Sequence, residues 1–283
     1  MRSWHSFFLL LTVLFCVSCT GGRPHKPLIG GIKRSMADRE EVWNQDSEED
    51  SLAPTDGGIE VPAPLNDRPE QLLRRTGYTA SYNRNLRIVN WVAWHLTADH
   101  TSGPHKRKGI AYTEDTEVPA PRATTFDYQQ SGYDRGHMCP SGDNKWSREA
   151  QQDCFLLSNM CPQDHNLNGG DWNELEMACR RWAEEYGDLY IVCGPVLYRQ
   201  RHKTIGRNKI TVPEAFFKVI LCLQGEPKAI GFIYKNNSGN RPMDSYVNSI
   251  DEVERITGID FFPSLPDDME EKVEKEENIS KWN

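Results

Sequence analysis

Residues 171–186 carry Trp172, Leu175, Cys179, Trp182, Ala183 and Tyr186 at spacings that gather them on one side of a helix. Asp171, with Glu174 three residues on, reads as a capping box, and Gly187 closes the segment. A helix with one apolar stripe needs a partner surface. The chain supplies it in residues 88–97, 189–193, 215–223 and 229–234, runs rich in β-branched and aromatic side chains that read as strands. The last two are joined by Gln224-Gly225-Glu226-Pro227, a turn signal, so they are expected to form an antiparallel hairpin. A second short helix is expected over residues 251–257, ending at Gly258. Strands gathered around one or two helices predict an α+β fold with an antiparallel sheet core.

The two ends read differently. Arg2 followed by the apolar run from Phe7 to Val17 resembles an export signal over residues 1–19. The run is too short to span a bilayer. Cys19 follows Ser18 where a lipoprotein signal is cut, so Cys19 is a candidate lipidation site and the one expected route to membrane attachment. Simple cleavage and release is the alternative. The protein is therefore expected to be exported: periplasmic, an outer-membrane lipoprotein, or secreted. Residues 20–76 hold three Gly-Gly pairs, six prolines and the acidic run Glu48-Glu49-Asp50, and are expected to be a flexible linker. Residues 266–283 carry seven acids against three lysines and are expected to be an acidic tail. That leaves 77–265 as the domain, with 21 Lys+Arg against 23 Asp+Glu. The whole-chain charge of −8 thus lies mostly in the ends. It excludes a uniformly basic nucleic-acid binder, but not a basic cleft on a near-neutral domain.

Two blocks carry the chemistry. The first is Ser131-Gly132-Tyr133-Asp134-Arg135-Gly136-His137-Met138. The second begins at Ser158-Asn159-Met160-Cys161-Pro162-Gln163, continues through Asn166-Leu167-Asn168, and reaches Trp172-Asn173-Glu174-Leu175-Glu176 on the expected helix. In this order and spacing the blocks resemble the DNA/RNA non-specific endonuclease family. The resemblance runs from Tyr78 through Gly258-Ile259-Asp260-Phe261-Phe262-Pro263. It implies a ββα-metal finger and a Mg2+-dependent endonuclease, with Mn2+ as a substitute ion, that acts on DNA and/or RNA and leaves 5′-phosphate and 3′-hydroxyl ends. It further implies that His137 is the general base, that Asn168 ligates the metal directly, and that Glu176 is a carboxylate near the metal's waters. Arg135 and Arg180 are implied to bind phosphate and assist catalysis, and Arg107 to be a further phosphate contact.

These residue types suit the reaction. Phosphodiester hydrolysis needs an activated water, a cation at the developing charge and help for the leaving oxygen. A His of ordinary pKa, ~6.5, is partly neutral and accepts a water proton. An Asn amide oxygen is a hard, neutral ligand, and magnesium keeps most of its waters, so one protein ligand plus a water-held carboxylate is a workable set. Glu176 and Arg180 are four apart and share a helix face. Asn168 is expected at or just before that helix's start, where free backbone N–H groups favour an anion.

Other readings stay open. His165 is a rival base, and Asn166 and Asn159 are rival ligands. Asp134 is expected to make structural hydrogen bonds. Arg199, Arg201 and Lys203 sit in a basic stretch with no acid from 189 to 213, read as a rim for the nucleic-acid backbone. Trp146 and Tyr198 are either core residues or base-stacking platforms. Six cysteines follow the leader, at 139, 154, 161, 179, 193 and 222, and are either buried thiols or bridges, with 139–161 a candidate pair. The competing functions are a catalytically inactive nucleic-acid-binding surface protein and a phosphodiesterase for small nucleotides. Oligomeric state is not legible.

Overall fold

The computed structural model describes residues 58–237 and 239–282. The expected leader over residues 1–19, Cys19, and most of the expected linker lie outside the described residues. Eleven strands are present among the described residues: β1 (Gln71–Arg74), β2 (Thr79–Asn83), β3 (Ile88–Leu96), β4 (Asp134–His137), β5 (Met160–Gln163), β6 (Leu189–Val196), β7 (Thr204–Ile205), β8 (Ile210–Thr211), β9 (Ala215–Cys222), β10 (Lys228–Lys235) and β11 (Val247–Asn248). Six α-helices accompany them: α1 (Thr125–Tyr128), α2 (Arg148–Asp153), α3 (His165–Gly169), α4 (Asp171–Tyr186), α5 (Ile250–Thr257) and α6 (Asp267–Glu274). The fold is α+β.

Seven strands form one antiparallel sheet in the order β1-β2-β3-β6-β9-β10-β11. The expected hairpin is β9–β10, in register from Ala215 opposite Lys235 to Cys222 opposite Lys228. Successive side chains of a strand point to opposite faces. Along β9, Phe216, Ile220 and Cys222 join one core, and Phe217, Val219 and Leu221 join the other. Both faces are covered, so the strands read as continuous apolar runs instead of alternating ones. One face takes Trp172, Leu175, Cys179 and Trp182 of α4. The other takes Ile250 and Val253 of α5, then Phe261, Phe262 and Val273.

α4 spans the expected residues 171–186 and differs from the expectation only in its cap. Gly170 is the N-cap, Asp171 is the first helical residue, and Asp171 accepts hydrogen bonds from the Tyr246 hydroxyl at 2.5 Å and the Arg241 N–H at 3.4 Å. No capping box forms there. Ser249 instead caps α5 by accepting from the Glu252 N–H, and Gly258 ends it with φ of 68°.

Two expectations about the ends are corrected. Residues 58–76, read as linker, include edge strand β1, and Ile59, Val61 and Leu65 pack on the second core. Residues 266–283, read as an acidic tail, include α6, whose Val273 is buried, and Trp282, which is buried against Trp182 at 5.0 Å between ring centroids. A few apolar anchors among many acids hold each segment, because burying one Val-sized side chain contributes ~1.5–3 kcal/mol. Composition averaged over such a segment hides them. The six cysteines beyond residue 58 are all buried free thiols, so the candidate 139–161 bridge is absent.

Candidate active site

β4 and β5 form a separate antiparallel pair, with Gly136 opposite Cys161 and His137 opposite Met160. β5 runs into α3 and α4, which gives a ββα finger. The two-residue period of a strand puts Arg135 and His137 on the same side of β4. Gly136 between them has no room for a side chain, since a Cβ there would meet the Gln163 side-chain oxygen at 2.1 Å. Asn159 ties the end of β4 to the turn before β5: its Nδ2 donates to the carbonyls of Cys139 and Cys154, and its Oδ1 accepts from the Cys139 N–H.

The finger opens on a cleft of about 890 Å³ lined by Arg107, Arg135, His137, Asn168, Glu176 and Arg180, among others. The imidazole, the amide and the carboxyl expected to act together therefore share one cavity. His137 is wedged between Phe155, edge-on at 5.0 Å, and Tyr112, tilted at 5.8 Å. Its Nε2 is buried without a hydrogen-bond partner. Burial first, and then the charge of Arg107, lower its pKa to about 3. The expected ordinary histidine thus meets a downward shift, which favours the neutral imidazole. A negative charge brought beside it would shift the pKa upward.

Asn168 lies inside α3, not at the free start of α4. Asp164 caps α3 by accepting from the Asn166 and Leu167 N–H groups, and the Asn168 N–H is spent on the Asp164 carbonyl. Its amide orientation is set by Asp134: Asn168 Nδ2 donates to Asp134 Oδ2 at 2.9 Å. That leaves the carbonyl oxygen as the end of the amide available to a ligand. Asp134 also pairs with His165 Nδ1 at 2.9 Å, the structural role expected of it. His165 itself is 81% exposed at the side chain and does not line the cleft, so the cleft holds His137 as its imidazole.

Glu176 and Arg180 project from one face of α4, as their spacing predicts. Burial raises the Glu176 pKa to about 7, against the lowering charges of Lys218 and Arg180. Arg180 donates to Asp143 Oδ1 at 2.8 Å; Asp143 is buried and also accepts from the Trp94 indole N–H at 3.2 Å. Gly142 lets the guanidinium pass, since a Cβ there would sit 2.7 Å from Arg180 Nη1. Beneath this pair lies Lys218 of β9, fully buried, its Nζ without a hydrogen-bond partner and 4.4 Å from the centroid of the Trp172 ring. Glu176 and Arg180 thus line the cleft, with Asp143 and Lys218 buried behind them. Asp143 and Lys218 were missed in the sequence. Lys218 left one signal, a lone charge inside an otherwise apolar strand.

Arg135 stacks on Tyr112 at 5.0 Å and Tyr128 at 5.5 Å and donates to the Thr125 carbonyl at 3.2 Å, while its Nε has no partner. Arg107 is exposed at the mouth, over the Phe155 ring at 5.7 Å. Lys106 and Lys145 also line the cleft and were not singled out in the sequence. Arg199, Arg201 and Lys203 are exposed outside the lining, with Lys203 near the finger through the Tyr133 hydroxyl at 3.3 Å. Trp146 and Tyr198 are both exposed; Trp146 stacks on His100 at 4.9 Å.

An imidazole on β4, an amide oxygen on α3 and a carboxyl on α4, surrounded by cations, define the class of ββα-metal finger proteins. The chain belongs to the DNA/RNA non-specific endonuclease family, whose sequence model matches residues 57–268. It is 35% identical over 207 residues to the mitochondrial nuclease EXOG of Danio rerio, covering 67% of this chain and 60% of that protein. The match to mitochondrial endonuclease G of Homo sapiens is 31% over 209 residues, covering 69% and 70%. Among solved structures, a chain of the EndoG/EndoGI complex superposes with a TM-score of 0.67 at 28% identity, covering 73% of this chain and 89% of that one. The chain spans less than two thirds of the length of the EXOG relatives it matches.

Proposed function

We propose that this protein is a divalent-cation-dependent, sequence-non-specific endonuclease that hydrolyses phosphodiester bonds in DNA and/or RNA. The observation that carries the reading is the meeting of His137, Asn168 and Glu176 in one cation-lined cleft. The donor set suits Mg2+, with Mn2+ as a substitute: an amide oxygen held in one orientation by Asp134 and a nearby carboxyl, both hard oxygen donors. Asn168 would hold the ion directly and Glu176 its waters. Such an ion supplies Lewis-acid neutralisation of the phosphate and of the leaving oxygen.

The chain's own groups do the rest. Arg135, Arg180 and Arg107 bind and orient the phosphate. His137 takes the proton of the attacking water at its unpartnered Nε2. The flanking Phe155 and Tyr112 rings limit water around that nitrogen and keep it neutral. Lining by arginine and lysine recognises backbone phosphates without reading bases, which fits a non-specific substrate.

A plasmid-nicking assay with magnesium and with chelator tests the proposal. Metal-dependent nicking that leaves 5′-phosphates is expected. Metal-independent gel shifts without cleavage would favour the inactive binding protein, and turnover confined to small nucleotides would favour the phosphodiesterase. We also propose that residues 1–19 export the protein, with Cys19 lipidated or the chain released. Two of the named relatives are mitochondrial proteins, so an organellar destination is the competing outcome. Mass spectrometry of the mature N-terminus decides between them. Among the described residues no helix is long and apolar enough to cross a membrane.

A further inference from the structure

A second group of oxygen donors lies on the sheet face opposite α4. Asp251 and Glu254, three apart on α5, meet Glu274 at the end of α6, with one carboxylate oxygen of each within 4.8 Å of the others. That spacing is about twice the ~2.4 Å calcium–oxygen distance. Glu274 is only 7% exposed, and its Oε1 is buried with no hydrogen-bond partner. Glu254 accepts one hydrogen bond, from the Phe261 N–H at 2.7 Å. The charged neighbours make matters worse: Asp260 and Glu270 act on both glutamates in the same repulsive sense. Lys275, next to Glu274 in the chain, pairs with Glu271 at 2.6 Å and also interacts with Asp251. A buried carboxyl without a partner is costly, and three that converge invite a cation.

We propose that Asp251, Glu254 and Glu274 form a structural calcium site that clamps α6 to α5. Three carboxylates on one point suit Ca2+, which accepts several such ligands at ~2.3–2.6 Å in flexible geometry. Mg2+ keeps its waters and its octahedron, and matches this set less well. Exposed Asp251 provides the entry side. The clamp has a mechanical purpose in the fold. Beyond α6 the chain passes the β9–β10 turn, where the Lys228 ammonium donates to the Lys281 carbonyl at 2.7 Å, and buries Trp282 in the core of the other face. The ion fixes the near end of this strap, so it stabilises the packing of both faces without touching the cleft.

Thermal unfolding of the full chain, followed by tryptophan fluorescence after chelator treatment, tests the site. Calcium at a hundredfold above its Kd is expected to raise Tm by about 5 °C or more, and magnesium by less. Asp251→Asn and Glu274→Gln should lose the calcium shift; Asn168→Ala, in the cleft, should keep it. The exposed Asp251→Asn variant serves if Glu274→Gln does not fold. No calcium shift in the wild type, a shift that survives Asp251→Asn, loss of the shift in Asn168→Ala, or an equal shift with magnesium would each overturn the proposal. A Tm that rises on acidification and ignores calcium would show that the carboxyls share protons instead. None of these outcomes depends on nuclease activity, so the clamp and the proposed reaction fail separately.

Discussion

Replacing Glu176 by Gln should make the protein more stable at pH 8 and remove most of its activity. The ordinary glutamate pKa of 4.5 is raised to about 7 in the cleft, mainly because burial penalises the charged form. In the unfolded chain the carboxyl ionises near 4.5; in the folded chain it holds its proton until about 7. The stability this group contributes is therefore complete below the unfolded value and is lost as pH rises through the folded one. At ~1.36 kcal/mol per pKa unit the full loss is roughly 3 kcal/mol. Glu176 keeps part of its surface in the open cleft, which screens the effect, so about 2 kcal/mol is the working figure. Gln copies the neutral carboxyl in shape and avoids the loss. Urea unfolding in chelator at pH 5 and pH 8 measures it. The two proteins should match near pH 5, while at pH 8 the variant should lead by ~2 kcal/mol, or ~4–8 °C in Tm. Metal-dependent nicking by the variant should fall by at least ~100-fold, the scale of losing a transition-state electrostatic contact. A variant less stable than wild type at pH 8, or one with an unchanged pH slope, would refute the reasoning.

His137→Ala should cut turnover by ~10²–10⁴-fold while DNA affinity, read by gel shift in chelator, stays near wild type; more than a tenth of the activity remaining would remove the base assignment. Asn168→Ala should steeply raise the magnesium concentration needed for half-maximal nicking, and an unchanged requirement would move the ligand to another side chain. Lys218→Met removes a cation that lowers the Glu176 pKa, so the carboxyl should titrate higher, visible as an upward displacement in pH-resolved infrared or NMR titration, and Lys218→Arg should restore part of it.

Local patterns made much of the chemistry legible. Arg135 and His137 are two apart on a strand, and Glu176 and Arg180 four apart on a helix; each spacing alone puts the pair on one face. α4 and the β9–β10 hairpin were legible because their periodicity and turn signals are local. The same reasoning failed at Asn168, where Asp164 starts a short helix earlier than the apolar stripe suggests and consumes the backbone N–H. At Arg199 and Arg201 a run of positive residues states charge and not direction; both are exposed, outside the lining of the cleft. β1 and the Trp282 strap went unread, because single anchors in polar segments show their worth only against the surface they cover.

The amino-acid order by itself settled which groups this protein owns and how neighbours within one strand or helix are oriented, since those follow from fixed backbone periods. The fold alone decided how far each group is desolvated and what faces it: a histidine made neutral between two aromatic rings, a glutamate raised by burial, an arginine held by Asp143 from a distant turn, and a lysine under the floor of the cleft. Burial and charge compensation depend on residues far apart in the chain, and the linear order carries no distance between them.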